Sequence, residues 1–321
     1  MTEPFAGDRV VVRYRLGAAT PSDWRPAANP ATHGPSLSDV TGILVDDGDP
    51  LVIERDGVAE SIPRAEITSI RVLSRVTVRN KEIRNLEVAA ADAWPGTETA
   101  RFDGWLLRAG GGFTRRANSA LPVEFGAAAG GSTMRAIRDW YAARDLPAVI
   151  AAPERLLPGG QIDGRLLGGE VQVLAADLDA LDVASRSGDV HIDDTPTASW
   201  LRAYRGPDVD VETAGAVVGS SRGPLVIASV VDDGRPVATG RASVTAAPDG
   251  TRWLGITAVW ADPDRRRQGH ASAVLSSLGR WGVEEGAQRG YVQVETENRV
   301  AGSWYRRVGF GLHHSYRYVE I

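Results

Sequence analysis

The length, charge and residue usage of the chain exclude several classes of function. A chain of 321 residues without cysteine cannot form disulfides, thiolate zinc sites or a cysteine nucleophile. Its formal net charge of −5 gives no general attraction to nucleic acid or to an anionic membrane, and we expect neither as a partner. The five histidines show no metal-ligand spacing, so we predict no metal site. Without a signal-peptide pattern or a run of about 18 apolar residues, the sequence predicts a cytoplasmic protein of two or three modest domains.

Short strand patterns separated by turn signals fill residues 1–76. They predict strands at 8–16, 41–45, 51–55, 58–62 and 68–73. A loop rich in Pro, Ala and Asn runs to Ser36, Asp56-Gly57 gives a hairpin turn, and one helical turn precedes the last strand. This order is similar to that of an SH3-like small β-barrel. A peptide-binding module and a structural or dimerising appendage both remain open, and the few aromatic residues, mainly Tyr14 and Trp24, favour the appendage.

Residues 77–169 give a second segment of mixed helix and strand. Helical spacing predicts one helix that ends at Trp94-Pro95-Gly96 and a second over 134–141, followed by a strand at 146–151. A Pro- and Gly-rich linker follows over 153–170.

A hairpin is predicted within this segment. Its strands are 103–108 and 114–122, around the glycines at 110–112, which have no helix N-terminus behind them and make a poor phosphate loop. For Arg115, Arg116 and Asn118 two interpretations remain open, side chains that reach into a substrate cleft and exposed polar residues of a strand.

Residues 170–321 form a third segment, in which antiparallel strands lead to a central strand. The predicted elements are a strand at 170–176, a helix at 198–204, a hairpin of 225–231 with 237–245, and the central strand at 254–261. The pattern over 206–223 is ambiguous.

An Arg-rich loop joins the central strand to an amphipathic helix. Its spacing is Arg266-x-x-Gly269-x-Ala271, flanked by Arg265 and containing Arg267. Gly269 lets the backbone approach an anion, and forked guanidinium donors suit phosphate oxygens at the start of a helix. On the loop alone, a solvated arginine face remains an equal alternative.

A second motif follows the strand that begins at 291. It reads Asn298-x-x-Ala301-x-x-x-Tyr305-x-x-x-Gly309-Phe310, in which Asn298 is a candidate N-cap and Gly309 a left-handed stop. The order, spacing and separation of the two motifs resemble those of the Gcn5-related N-acetyltransferases. The resemblance covers about 170–321 through these motifs. It covers 80–170 more weakly, as a first lobe without its own phosphate loop.

The resemblance implies an α/β (α+β) chain with three domains. These are an SH3-like barrel at 1–76, a degenerate first acetyltransferase lobe at 77–169, and an acetyl-CoA-binding domain at 170–321 whose mixed central sheet is mostly antiparallel. Acetyl-CoA is the implied cofactor. Its implied contacts are backbone groups of Val259 and Ala261, the residues Arg266, Arg267, Gln268, Gly269, His270, Ala271 and Ser272, and Asn298.

The resemblance also implies direct attack of a neutral amine on the thioester. Tyr305 matches the tyrosine that protonates the leaving thiolate in many relatives, and its ordinary pKa of about 10 suits that role. The two positions at which relatives place a glutamate base hold no acid here, since 253–256 is Trp-Leu-Gly-Ile and the other position is Gln293. Strand alternation puts Glu295 on the face of Gln293, so Glu295 is our candidate base. Its alternative is a polar strand-end residue, and Asp262 and Glu297 are weaker candidates.

Two functions of different classes therefore remain open. The first is an acetyl-CoA-dependent N-acetyltransferase that acts on a small-molecule or protein amine, and the presence of Tyr305 favours it. The second is a non-catalytic acyl-CoA-binding protein whose barrel binds a partner, and the loss of both usual glutamates keeps it open. The sequence identifies neither the acceptor nor the oligomeric state, and a homo-oligomer is left open.

Overall fold

The computed structural model describes residues 4–16, 37–73, 78–157, 162–181 and 189–321. These residues belong to two compact units, one of Met1–Thr77 with Arg299–Arg307 and one of Val78–Asn298 with Val308–Ile321. The first unit thus includes a helix that the sequence assigned to the last domain. The division of the remainder into two lobes at residue 169 stays a prediction, and most of the loop before Ser36, with Trp24, lies outside the described residues.

The first unit contains a five-stranded antiparallel sheet in the order β4-β3-β2-β1-β5. Its strands are β1 Arg9–Arg15, β2 Leu37–Asp46, β3 Leu51–Arg55, β4 Val58–Ile62 and β5 Ile67–Leu73. Asp56 and Gly57, with φ of 52° and 80°, form the predicted tight turn between β3 and β4. The small all-β N-terminal part is confirmed, whereas its likeness to an SH3 barrel stays a prediction.

The second unit contains a nine-stranded sheet, a three-stranded sheet and five α-helices among its described residues. The helices are α1 Asn80–Ala93, α2 Gly131–Ala142, α3 Ala198–Arg205, α4 Val211–Val218 and α5 His270–Glu284. The strands of the three-stranded sheet are β6 Glu98–Phe102, β7 Trp105–Ala109 and β8 Leu121–Pro122. The strands of the large sheet are β9 Val149–Pro153, β10 Arg165–Leu166, β11 Val171–Asp177, β12 Val190–Asp193, β13 Leu225–Asp232, β14 Arg235–Ala246, β15 Arg252–Ala261, β16 Arg289–Glu295 and β17 Gly311–Glu320.

The order of the large sheet is β10-β17-β11-β16-β15-β14-β13-β12, with β9 also paired to β17. Only β15 and β16 run parallel among the pairs of the described strands, and the other pairs are antiparallel. This mixed, mostly antiparallel sheet confirms the predicted fold class. No helix in the described ranges is long and apolar enough to cross a membrane.

Helix α4 occupies the stretch that was ambiguous from the sequence. Asp210 is its N-cap, and Asp210 Oδ1 accepts from the N–H groups of Glu212 (3.1 Å) and Thr213 (3.3 Å). An aspartate at this position accepts hydrogen bonds from N–H groups that have no partner within the helix. Its negative charge also interacts favourably with the positive end of the helix dipole. The cap thus defines where α4 begins.

The predicted hairpin around glycines 110–112 is present but shorter than predicted, since β7 pairs antiparallel with β8 only through Trp105 with Pro122 and Leu106 with Leu121. A second hairpin, not predicted from the sequence, has a tight turn at Asp103 and Gly104, with φ of 49° and 80°, where β6 passes into β7. An Asp-Gly pair supplies the positive φ values that a two-residue hairpin needs, so the local signal was present. Residues 110–119 form the turns that connect β7 to β8, and Asn118 Oδ1 accepts from the N–H groups of Gly110 (2.8 Å) and Gly112 (3.0 Å).

The last helix, α6 Arg299–Arg307, packs within the first unit. Arg306 donates to Asp8 in an ion pair whose two side chains are almost fully buried. The Phe5 ring centroid lies 4.8 Å from the guanidinium of Arg299 and 4.7 Å from that of Arg306. Removing one partner of a buried ion pair strongly destabilises a protein, because the other charge stays buried without a counter-charge. The stability of α6 therefore depends on the N-terminal residues.

Candidate active site

The two central strands of the large sheet separate partway along their length. β15 and β16 pair only as far as Ile256 and Val292, although β15 continues to Ala261 and β16 to Glu295. Each strand stays paired to its other neighbour to the end, β15 to β14 and β16 to β11. A V-shaped opening therefore forms between them, and the backbone of Val259 lies along it.

A bulge in β15 lies beside this opening. The register against β14 shifts between Thr239 and Arg241, and Ala258 has φ 52°, a conformation that costs free energy for a residue with a Cβ atom. Thr239 Oγ1 donates to Ala258 O at 3.1 Å, which holds the bulge. Because a bulge re-aims the neighbouring backbone groups, the N–H groups here leave the regular ladder.

The Arg-rich segment forms the turn from β15 into α5. Arg267 and Gly269 have left-handed φ values of 62° and 88°, and Gly269 is the N-cap of α5 without a side-chain cap hydrogen bond. The first N–H groups of this 15-residue helix are therefore open to a ligand at its positive end. Arg266 is exposed, whereas Arg265 pairs with Asp232 at 2.9 Å.

The remaining loop residues surround the helix start. Gln268 Oε1 lies 3.2 Å from His270 Nε2, so the two side chains restrain each other. Ala271 and Ser272 are partly buried in the first turn of α5. Asn298 immediately precedes α6, at the predicted N-cap position.

A cavity of about 780 Å³ lies on the opposite face of the sheet from α5. A Cβ atom at Gly240 would meet Val274 and Leu278 of α5, so α5 covers that face of β14. The next residue, Arg241, points the other way. Its guanidinium lies 4.4 Å from the ring centroid of Trp94, which lines the cavity.

Strand β16 contributes two polar side chains to this cavity. Gln293 and Glu295 both line it, which agrees with the predicted shared face. Arg115 also lines the cavity and forms an ion pair with Glu295. The guanidinium of Arg115 donates to Leu167 O and lies 5.1 Å from the ring centroid of Tyr318. Arg115 thus reaches into the cavity and engages the candidate base.

Two buried polar atoms beside the cavity have no hydrogen-bond partner among the described residues. They are Arg116 Nε and Gln293 Oε1. The Arg116 guanidinium lies 5.5 Å from the Trp94 ring centroid, on the cavity wall. Arg116 is therefore the second of the three polar candidates from the turn segment to reach the cavity.

Asn118, the third of these candidates, does not line the cavity. Both ends of its side-chain amide bind backbone groups of the turns over 110–119. Its Nδ2 donates to Phe113 O at 3.0 Å and to Thr114 O at 2.8 Å. Asn118 therefore holds the segment that carries Arg115 and Arg116.

Arg241 lies behind Trp94, a residue of the cavity wall. It is fully buried, and it donates to Val218 O at 2.7 Å and Ala93 O at 2.8 Å, the carbonyls that end α4 and α1. It also donates to Ser220 O. Burial lowers the pKa of the guanidinium to about 9, which leaves it charged at neutral pH. The negative ends of two helices therefore balance this charge.

The other candidate residues lie in varied surroundings. Tyr305 lies in α6 with a buried side chain. Asp262 caps the short turn after β15, where its Oδ1 accepts from Asp264 N at 3.0 Å, and Glu297 is exposed. The catalytic assignments of Tyr305 and Glu295 stay predictions. Sequence reasoning missed Arg241, because nothing in its strand distinguishes a buried arginine from an exposed one.

Comparison with known proteins identifies the family. Residues 80–319 match the family described as probable histone acetyltransferase Rv0428c C-terminal. The chain is 37% identical over 327 residues to a protein named probable histone acetyltransferase Rv0428c from Mycobacterium tuberculosis (strain ATCC 25618 / H37Rv). That similarity covers 98% of this chain and 95% of the relative.

Two solved structures share the fold at low identity. A GCN5-related N-acetyltransferase from Kribbella flavida matches with a TM-score of 0.53 and 15% identity, over 76% of this chain and 96% of that one. A functionally unknown conserved protein from Staphylococcus epidermidis ATCC 12228 matches with a TM-score of 0.51 and 12% identity, over 71% and 96%. These structures confirm the predicted acetyltransferase fold.

The comparisons bear out the predictions of an acyltransferase and of acetyl-CoA as its cofactor. The match at 37% identity spans nearly the whole of both chains, so the sequence similarity includes the N-terminal unit as well as the large sheet. The chain belongs to the Rv0428c C-terminal family of acetyltransferases.

Proposed function

We propose that the chain transfers an acetyl group from acetyl-CoA to an amine by direct attack on the thioester. The observation that carries this proposal is the opening between β15 and β16. The turn at Gly269 follows the free end of β15, and the free end of β16 lines the polar cavity. When bound, acetyl-CoA supplies the activated acetyl group.

The residues around the opening fit the parts of this cofactor. N–H groups at the start of α5, with Arg266 and Arg267, suit the pyrophosphate. Backbone groups of Val259 and Ala261 suit the amides of the pantetheine arm, which adds to β15 as an extra strand. Backbone N–H groups beside the Ala258 bulge stabilise the oxyanion of the tetrahedral intermediate.

Two side chains carry the proposed proton and charge chemistry. Tyr305, at the tyrosine position of the family motif, gives a proton to the leaving thiolate. Glu295 lines the acceptor cavity, where its carboxylate can bind the ammonium form of the acceptor beside Arg115. As the candidate base, Glu295 would have to exchange its ion pair with Arg115 for the proton of the amine.

The cavity on the other face receives the acceptor amine. Its walls include Arg116, whose buried guanidinium has no carboxylate partner among the described residues, and the aromatic rings of Trp94 and Tyr318. A guanidinium that is turned into a cavity without a carboxylate partner favours an anionic ligand group. We therefore propose an acceptor that carries a carboxylate or a similar anionic group besides its amine.

The first test is calorimetric titration with acetyl-CoA and with CoA, followed by CoA release with a panel of amines. The panel includes amino acids, diamines and a basic lysine peptide, since the relative is named a probable histone acetyltransferase. Micromolar binding and amine-dependent release support the proposal. Binding without release by any amine supports the alternative, a non-catalytic acyl-CoA-binding protein whose N-terminal unit binds a partner. Absence of binding contradicts both.

Arg116→Gln and Arg116→Lys test the acceptor class. For the best amine of the panel, the Gln variant should raise KM about tenfold or more, because one charged hydrogen bond is worth about 1.5–3 kcal/mol. The Lys variant keeps the charge, and its KM for the acceptor should rise less than that of the Gln variant. Equal KM values for the acceptor and its amide derivative would contradict an anion-binding role.

A further inference from the structure

A buried chain of three titratable side chains lies behind the cavity. His314 Nε2 lies 2.7 Å from Glu87 Oε1, and His314 Nδ1 lies 2.8 Å from His313 Nδ1. All three side chains are buried, Glu87 on α1 and the histidines on β17. Nothing in the chemistry described above uses them.

A second, smaller space lies between these three side chains and the large cavity. The small space, about 10 Å³, is lined by Glu87 and shares Arg116, Gln293, Tyr316 and Tyr318 with the large cavity. That volume accommodates about one water molecule. Arg116 Nε and Gln293 Oε1, which have no partner among the described residues, are a donor and an acceptor that such a water satisfies.

The reaction needs a proton acceptor here. An amine with a pKa near 10 is protonated at neutral pH and must lose a proton before it attacks. Gln293 cannot accept it as a base, and the carboxylate of Glu295 is engaged by Arg115. Asp208, the other carboxylate that lines the large cavity, is exposed, whereas Glu87 lines the small space and is buried.

We propose that Glu87 and His314 together accept the proton of the attacking amine through a water in the small space. This inference rests on the proposed function. The ammonium gives its proton to the water, the water gives one of its own to Glu87, and the Glu87–His314 pair holds one added proton. After the product leaves, the pair returns that proton to solvent by the same route.

His313 acts as a positioning residue in this scheme. Burial, with a smaller contribution from His314, lowers the pKa of His313 to about 3, so it stays neutral. A neutral ring can donate to or accept from His314 Nδ1, and both charge states of His314 are therefore accommodated. The charged and titratable groups that face the pair are Arg108, Arg116, Arg289, Tyr291, Tyr316 and Tyr318.

The test compares Glu87→Gln with wild type over amines of differing pKa. For amines of pKa near 10 we expect kcat to fall about 100-fold, within the usual contribution of a general base. For amines of pKa below about 7, which need no base at neutral pH, kcat should change less than about threefold. The Kd for acetyl-CoA should stay unchanged, and the acid limb of the pH–kcat profile should move toward higher pH.

Matched variants separate this role from a structural one. Glu98→Gln removes an ion-paired carboxylate of β6 outside both cavities and should leave kcat unchanged. Gln293→Glu, which places a carboxylate on the shared wall, should restore part of the activity that Glu87→Gln loses. If Glu87→Gln does not fold, His314→Gln serves for the same comparison.

The outcomes distinguish the two proposals. Equal losses for amines of high and low pKa, or no loss, overturn the relay and leave the proposed function standing. Binding of acetyl-CoA by wild type without turnover of any amine overturns the proposed function, and the relay with it.

Discussion

Replacement of Arg241 by methionine tests how much this buried arginine contributes to the stability of the second unit. The substitution keeps much of the side-chain volume but removes the donors to Ala93 O, Val218 O and Ser220 O. These carbonyls lie at or just beyond the ends of α1 and α4, where the helix supplies no donor.

The expected loss of stability follows from the carbonyl groups that the substitution leaves without a donor. A buried carbonyl without a donor costs about 1–3 kcal/mol, and the substitution affects the carbonyls of Ala93, Val218 and Ser220. Removing the desolvated charge of Arg241 offsets part of this cost, so we expect a net loss of about 3 kcal/mol. For a unit of this size, that loss lowers Tm by roughly 6–12 °C.

Differential scanning calorimetry of wild type, Arg241→Met and Arg235→Met checks this estimate. Arg235 begins the same strand but is exposed, so its replacement should change stability by less than about 0.5 kcal/mol. Arg241→Lys, which keeps the charge with fewer donors, should fall between them. Equal Tm values for Arg241→Met and Arg235→Met would show that the bonds from Arg241 to these carbonyls do not stabilise the fold.

Three further predictions concern the cofactor turn, the candidate acid and the buried histidines. Gly269→Asp should abolish acetyl-CoA binding in calorimetry through its left-handed φ of 88° and its charge, whereas Gly250→Asp, at a φ of 86° in another turn, should bind normally. Tyr305→Phe should lower kcat about 100-fold without a change in the Kd for acetyl-CoA, and unchanged kcat would leave Tyr305 a packing residue. The pKa of His313 is lowered to about 3, so the unfolded state binds more protons below pH 6.5 and stability falls as pH drops toward 3. Urea unfolding should show that the free energy of unfolding falls by ~2 kcal/mol less in His313→Phe than in wild type when the pH is lowered from about 6.5 to 5. Equal losses of this free energy would contradict a buried, neutral His313.

Local turn signals predicted two of the hairpins. Asp56-Gly57 and the Asp233-Gly234 turn between β13 and β14 both have positive φ at each residue, which these residue types tolerate well. The same signal at Asp103-Gly104 was missed, so the hairpin of β6 with β7 was not predicted.

Long-range pairings could not be predicted from the sequence. Glu87 and His314 are 227 positions apart, and Asp8 and Arg306 are 298 apart. Each residue has an ordinary local context, and only the folded chain brings the partners together. Strand patterns likewise do not show where the pairing of β15 with β16 ends.

The grouping of α6 with the N-terminal residues bears on how the protein can be shortened. The family match begins at residue 80, and that boundary suggests an excisable catalytic fragment. A fragment that starts there lacks Phe5 and Asp8, so the guanidinium of Arg306 loses its buried counter-charge. Cloning from residue 80 would then give a poorly folded C-terminal motif, whereas versions of the chain that retain residues 4–16 keep this anchor.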